Sequence, residues 1–505
     1  MHLQAVEDDR SLKAARVPGA WTLGALTLPA CLALVVSGCA TSSPRQADPE
    51  RIDVPSAWSA YDGSSAGGAS SLLSWWSRFD DPVLAGLVAD ALRANTTVTG
   101  AQAALRQARA LRDVSAASLI PSLGSSASAQ HSTRGVGAGR SSDNNFHAGL
   151  DANWELDLFG VNRSALNASE AAARGSAASL GDAQVSIAAE VALAYIGLRA
   201  AQARQGIAGE NLASQQETSQ ITQWRQRAGL VTALEAEQAR ASAEQTSALL
   251  PVLQISIEQT RHALAVLTGR PPAALAPLLE APAPVPQALD DLVLGIPAET
   301  LRQRPDVRAA EHQVTAALAR VAQADAARAP SFSLSGTLGL SALTLGTLTN
   351  GAAVVSTLLA GVSFPIFDGG AASAQVRAQQ AAADQAQVAY QAAVLAALKE
   401  VEDALVALRG DRLRLSHLHN AADAAASAAV LARERYSSGL VDFQTVLETQ
   451  RTQLSTQDSV ASASADVSSD HVRLYKALGG GWQSDMPALA ARPGSATTSI
   501  RASTP

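Results

Sequence analysis

Residue types that do chemistry are sparse in this 505-residue chain, and their spacing excludes more reactions than it allows. Two cysteines and eight scattered histidines form no metal-ligand cluster. Neither a Ser/His/Asp set nor a carboxylate pair stands out, so neither an enzyme nor a cofactor is expected. Gly135-Val-Gly-Ala-Gly139 lacks the spacing of a phosphate-binding loop and lies in a Ser/Gly/Asn-rich stretch that reads as a hairpin. Gly479-Gly-Gly481 reads as a helix stop. Asp157 and Asp368 fall near predicted strand-to-helix transitions, where the helix dipole favours a carboxylate. The one position with reactive promise is Cys39. Arg10, Lys13 and Arg16 precede an uncharged, mostly apolar stretch, Val17 to Val36, which ends in Val36-Ser-Gly-Cys39. Small residues there let the chain thread a peptidase, and the new N-terminal cysteine offers a thiol and an amine for acylation.

That ending resembles a bacterial lipobox, so residues 1–38 are expected to be a lipoprotein signal peptide and Cys39 the lipidation site. Ala40, in place of an Asp, favours the outer membrane over the inner one. Cys31 leaves with the leader, and one remaining thiol allows no intramolecular disulfide. A net charge of −7 makes nucleic acid an unsuitable partner. Only Met486 remains to offer a thioether, which favours organic solutes over soft metals as cargo. With 4% aromatic residues and abundant alanine, the composition suits long helices in thin walls better than a thick globular core.

The chain contains itself twice. Trp154-Glu-Leu-Asp-Leu-Phe-Gly160 precedes Phe364-Pro-Ile-Phe-Asp-Gly-Gly370 by 210 positions, and the same offset aligns Gly229-Leu-Val231 with Gly439-Leu-Val441 and Gly269 with Gly479. Earlier in each half the offset is 209, matching Pro121-Ser-Leu123 to Pro330-Ser-Phe332 and Asn95 to Arg304. A tandem duplication explains both. The expected organisation is a leader (1–38), a lipid tether and linker (39–71), a first repeat (72–280), a second repeat (281–482) and a disordered tail (483–505).

Each repeat reads as helix, two strands, very long helix, sharp turn, helix. The long helices are predicted over about 161–228 and 371–438, each about 100 Å at 1.5 Å per residue. Val394, Leu398, Val401, Leu405 and Leu408 follow the 4-3-4-3 spacing of a coiled-coil seam, and Ala188, Val191, Tyr195 and Leu198 repeat it. The strands follow period two. Phe146, Ala148, Leu150, Ala152 and Trp154 alternate with His147, Gly149, Asp151 and Asn153; Phe332, Leu334, Leu338 and Leu340 alternate with serine, threonine and glycine; Leu358, Ala360, Val362 and Phe364 share one parity. Short segments apolar on one side and polar on the other describe membrane β-strands between lipid and a wet lumen. Four strands cannot close a barrel, and an open edge in lipid is prohibitive, so partner copies must complete it; three chains supply twelve strands.

Taken with Arg304-Pro-Asp-Val-Arg-Ala-Ala-Glu311, Arg435-Tyr-Ser-Ser-Gly-Leu-Val-Asp442 and Leu474-Tyr-Lys-Ala-Leu-Gly-Gly-Gly-Trp482, these motifs resemble the TolC-like outer-membrane factors of the NodT lipoprotein branch over roughly residues 72–482. The resemblance implies a mixed α and β membrane protein: a trimeric twelve-stranded β-barrel, four strands per chain, continued by a periplasmic α-helical coiled-coil barrel. It implies a homotrimer in outer-membrane lipid, docked to a periplasmic adaptor and an inner-membrane transporter of RND type. The function it implies is the exit duct of a tripartite efflux pump for small molecules such as drugs. Two other readings stay open: a duct for type I protein secretion, and a structural coiled-coil lipoprotein without a channel. The helix-turn tips are Gly229, Leu230 and Val231, and Gly439, Leu440 and Val441. By resemblance Asp442, Arg435 and Tyr436 form the candidate periplasmic gate, Asp442 as an acidic ring; its place at a helix start equally makes it a cap. Arg225, Gln226 and Thr232 stand at the matching places of the first turn.

Overall fold

The computed structural model describes residues 54–59, 72–135, 141–288, 297–348 and 354–482, all within one unit, Glu50–Pro505. The expected leader, Cys39, most of the linker and the expected tail lie outside the described residues.

Helices begin where the sequence supplies partners for orphan backbone groups. Asp81 accepts the N–H groups of Val83 (2.8 Å) and Leu84 (3.0 Å) at the start of α1 (Pro82–Ala94), with Pro82 where no N–H is needed. Asn95 caps α2 (Thr96–Ala117) by accepting from Thr97 at 2.8 Å, and its amide donates to the Leu267 carbonyl at 2.9 Å. Strands β1 (Ser122–Arg134) and β2 (Ser141–Leu156) lead into α3 (Val161–Arg227), and α4 (Ala233–Ser247) with α5 (Leu249–Leu267) return. A short helix, Pro297–Gln303, precedes α6 (Pro305–Ala326), β3 (Ser331–Ala342), β4 (Val354–Ser363), α7 (Ala371–Ser437) and α8 (Phe443–Ala477).

Both long helices stop one residue short of their predicted ends, with Ala228 and Ser438 as the C-caps. Asp157 and Asp368 hold their starts. Asp157 accepts from Asn162 (3.1 Å) and Arg163 (2.8 Å); Asp368 accepts from Gly370 and Ala372, both at 2.8 Å, which keeps its carboxyl below the usual range. The first return helix differs from the expected single rod by breaking at Ala248. Pro251 carries no N–H for the carbonyl of Ser247, four residues earlier. The second return helix is continuous for 35 residues.

The strands form one antiparallel sheet in the order β1-β2-β3-β4. Across β2 and β3, Ala148 faces Leu340, Leu150 faces Leu338 and Trp154 faces Leu334, so the apolar parity of one strand continues in the next. In the first hairpin Ser122 lies opposite Asn153, and in the second Ser331 lies opposite Ser363. Moving 209 positions from Ser122 and 210 from Asn153 converts the first pair into the second. The attached helices keep the strand order: α2 packs on α3, α3 on α6, and α6 on α7.

The thickest core is a band around the middle of α3. Ala188, Val191, Tyr195 and Leu198, the predicted seam, are buried there with Leu84, Leu87, Ile257, Leu264, Trp75 and Tyr475. The rings of Trp75 and Tyr475 stack at 5.3 Å, and Tyr195 donates to Asp81 at 2.8 Å. On α7 the seam residues Val394, Val401, Leu405 and Leu408 are buried. Residues 54–59 of the expected linker are held at two points: Trp58 is buried beside Val401 and Leu405, and the Ser59 N–H donates to Glu402 at 2.7 Å.

Candidate functional site

The two inter-helix turns are near copies. In the first, Leu230 N–H donates to the Arg225 carbonyl (2.8 Å) and Gly229 N–H to that of Gln226 (2.9 Å); in the second, Leu440 donates to Arg435 (2.9 Å) and Gly439 to Tyr436 (3.0 Å). This closure needs a left-handed residue, and Gly229 and Gly439 supply it at φ +72° and +71°. It turns Leu230 and Leu440 outward, 74% and 73% exposed, with Val231 and Val441 half-buried behind them.

After the glycines the turns diverge. Thr232 caps α4 weakly, accepting from Glu235 N–H at 3.4 Å. Asp442 caps α8, accepting from the Thr445 N–H at 2.9 Å and its hydroxyl at 2.6 Å, and these bonds hold its carboxyl below the usual range. The cap leaves Asp442 exposed. Arg435 has an exposed side chain and contributes its carbonyl to the turn.

Tyr436 joins the two hairpins. Its hydroxyl donates to Glu235 at 3.1 Å, the Arg225 guanidinium lies 5.1 Å from its ring centre, and Phe443 packs at 5.3 Å. Burial, then the bond to Glu235, raises its pKa. Beneath lies a small core of Ala239, Ala432, Phe443, Val446 and Leu447. The gate candidates are thus divided: Tyr436 contacts the opposite hairpin, Asp442 faces solvent as a cap, and the Arg435 side chain is exposed.

Sequence reasoning missed the polar seam between α3 and α8 above the tips. Gln450 donates to Thr218 at 3.1 Å, Asn211 to Gln457 at 2.8 Å, and Arg204 to both oxygens of Asp458 at 2.6 and 3.0 Å. Gln215 and Gln450 are buried, each with its carboxamide oxygen unpartnered. The only sequence signal was a thinning of apolar residues at seam positions below Leu198. Nor did the sequence disclose the role of Arg304, whose guanidinium donates to the Ala477 carbonyl, to Asp306 and to Glu400, each at 2.7 Å.

Among the described residues no group of His, Cys, Asp and Glu is disposed to hold a metal. The geometry is that of two long helical hairpins clasped at their tips under an open, half-apolar sheet.

Comparison with known proteins places this geometry. The family model described as outer membrane efflux protein matches residues 87–270 and again 296–480. The outer membrane protein OprJ of Pseudomonas aeruginosa is 32% identical over 91% of this chain and 94% of its own length. Nodulation protein T of Rhizobium leguminosarum bv. viciae is 31% identical over 90% and 93%. The solved structure of the outer-membrane channel OprN superposes with a TM-score of 0.78 at 37% identity, covering 85% of this chain and 99% of that one.

Proposed function

The chain belongs to the outer membrane efflux protein family, and on that premise we propose that it is the outer-membrane exit channel of a tripartite efflux pump, passing small organic molecules such as drugs from periplasm to exterior. One observation carries the reading: a four-stranded sheet with one apolar face and two open edges is joined directly to two 67-residue helices. Such a sheet is incomplete in lipid, because each unpaired backbone group there costs several kcal/mol. Such helices reach about 100 Å beyond it.

The working unit is a homotrimer with a twelve-stranded barrel, anchored also by lipid at Cys39. The two-repeat division, 72–280 and 281–482, is supported by the two hairpin registers, which are related by the sequence offsets. A periplasmic adaptor docks at the tips, where Leu230 and Leu440 offer exposed apolar surface, and an RND-type inner-membrane transporter supplies the energy. The protein itself conducts and does not catalyse.

At the tip, threefold symmetry brings three copies of Asp442 around one axis. Three carboxylates there, each left exposed by its cap, offer a site to a divalent cation. Arg435 and Tyr436 complete the gate, with Tyr436 as the clasp. Single-channel recording of the full-length protein in planar bilayers tests both levels. A channel whose conductance falls when divalent cation is added, with the block largely lost in Asp442→Ala, is expected. A protein that forms no channel overturns the function; equal block in both proteins removes the acidic ring alone.

A further inference from the structure

A cavity lies in the helical wall, apart from the sheet and the tips. It opens beside the break at Ala248, between α3, the α4–α5 return and α8, and holds about 440 Å³, room for a drug-sized molecule. Both of its ends are fixed by bonds already in place. At one end Arg204 is taken up by both oxygens of Asp458, and just beyond it Gln205 donates to Gln254 at 2.9 Å. At the other end Gln450 donates to Thr218, which brings Arg451 and Gln215 to about the same height, within one helical turn. Between the ends the lining is apolar, from Leu249, Val252 and Leu253 on α5 and Leu454 on α8.

Two features of the second end point to a ligand. Gln215 is 3% exposed and lines the cavity, and its carboxamide oxygen accepts no hydrogen bond. Burying an acceptor without a donor is costly, and helix packing does not demand it here: the offset of 210 turns Gln215 into Ala425, which is buried too. The apolar lining is likewise particular to the first half, for the same offset turns Leu249, Val252 and Leu253 into Ser459, Ser462 and Ala463. Arg451, the cation at this end, is exposed and forms no ion pair among the described residues.

We propose that this cavity binds a small amphipathic organic acid whose anionic group sits beside an N–H or O–H donor. The donor satisfies the Gln215 oxygen, the anion pairs with Arg451, and the apolar body lies along Leu249, Val252, Leu253 and Leu454. An N-acylated amino acid has its groups in this order. Arg204 offers no second anion site, because Asp458 already occupies it, so the ligand carries one acid group. A molecule seated there touches α3 and α8 at once and ties the two hairpins together where the polar seam joins them.

Calorimetric titration of the full-length protein in lipid nanodiscs, with empty nanodiscs subtracted, tests the site. The probe is biphenylcarbonylglycine, which has a biphenyl body and an amide N–H one carbon from its carboxylate. One saturable site per chain is expected. Gln215→Met keeps the bulk and removes the acceptor, and Arg451→Gln removes the charge at an exposed position where folding is not at stake. Each should weaken binding about tenfold. The N-methyl analogue of the probe, which has no N–H, should bind wild type about tenfold more weakly than the parent and be indifferent to Gln215→Met. No saturable binding to wild type, or one affinity for wild type and both variants, overturns the site. An N-methyl analogue that still responds to Gln215→Met shows that the substitution acts through packing, and overturns the donor contact. The titration reads binding and not conduction, so a negative result leaves the channel reading in place.

Discussion

The aromatic band at mid-helix and the polar seam nearer the tips join the same two halves of the chain by opposite means. In the band, Trp75, Tyr195 and Tyr475 are fully buried, and separation would return a large apolar surface to water. In the seam, amide, hydroxyl and ion-pair contacts link α3 to α8, and water can replace each of them at small net cost. A wall built this way is fixed at its waist and loosened below it. Motion at the tips then needs no change in the band, and substitutions in the two regions should separate stability from gating.

The largest effect belongs to the band. Trp75→Ala is expected to destabilise the protein by about 3–5 kcal/mol, seen as a lowered denaturation midpoint in detergent. A loss under 1 kcal/mol would show that the waist is held elsewhere.

Asp470, also at the waist, gives the band a pH dependence. Burial raises its pKa to about 6, opposed by Arg473 at 2.6 Å and assisted by the nearby carboxylate of Asp411. Because the folded pKa lies above the ordinary 3.8, the fold favours the neutral acid. The associated stability is complete below the ordinary carboxylate range and is lost as pH rises through about 6. Asp470→Asn keeps the neutral form at all pH and should be more stable than wild type at pH 7.5 by on the order of 1–2 kcal/mol, with the advantage vanishing near pH 4. Parallel melting curves at the two pH values would reveal this, and an unchanged pH slope would contradict it.

Effects in the seam should be smaller in energy and larger in conductance. Tyr436→Phe removes the bond to Glu235 and keeps the packing on Phe443. A stability change of about 0.5–1.5 kcal/mol is expected, with a several-fold rise in open-channel time. Arg204→Ala breaks a half-exposed ion pair worth below about 1 kcal/mol, and high salt should erase its difference from wild type. If Trp75→Ala opened the channel as readily as Tyr436→Phe, the contrast between the two regions would fail.

What the sequence disclosed follows the range of each interaction. The long helices and the buried seam of Val401, Leu405 and Leu408 were legible because helix periodicity is local. Asp157, Asp368 and Asp442 were legible as carboxylates at helix starts because such a residue and its N–H donors lie within a few residues. The break at Ala248 was signalled by Pro251 and overlooked beside an otherwise helical pattern. The bond from Tyr436 to Glu235 and the three contacts of Arg304 span partners far apart in the chain, so no local spacing encodes them. Where a gate residue points is set by that long-range packing, and the exposed Arg435 side chain beside the half-buried Tyr436 illustrates the gap.

The place of β2 between β1 and β3 also has a consequence in time. Its partner β1 is already made when β2 emerges, but Phe332, which lies opposite Leu156, is synthesised 176 residues later (332 − 156). At about 5–20 residues per second that interval is roughly 9–35 s. Throughout it one edge of β2 is an unpaired, half-apolar strand able to join any other strand it meets. Until the second half arrives, that edge is the chain's most exposed site for wrong pairing.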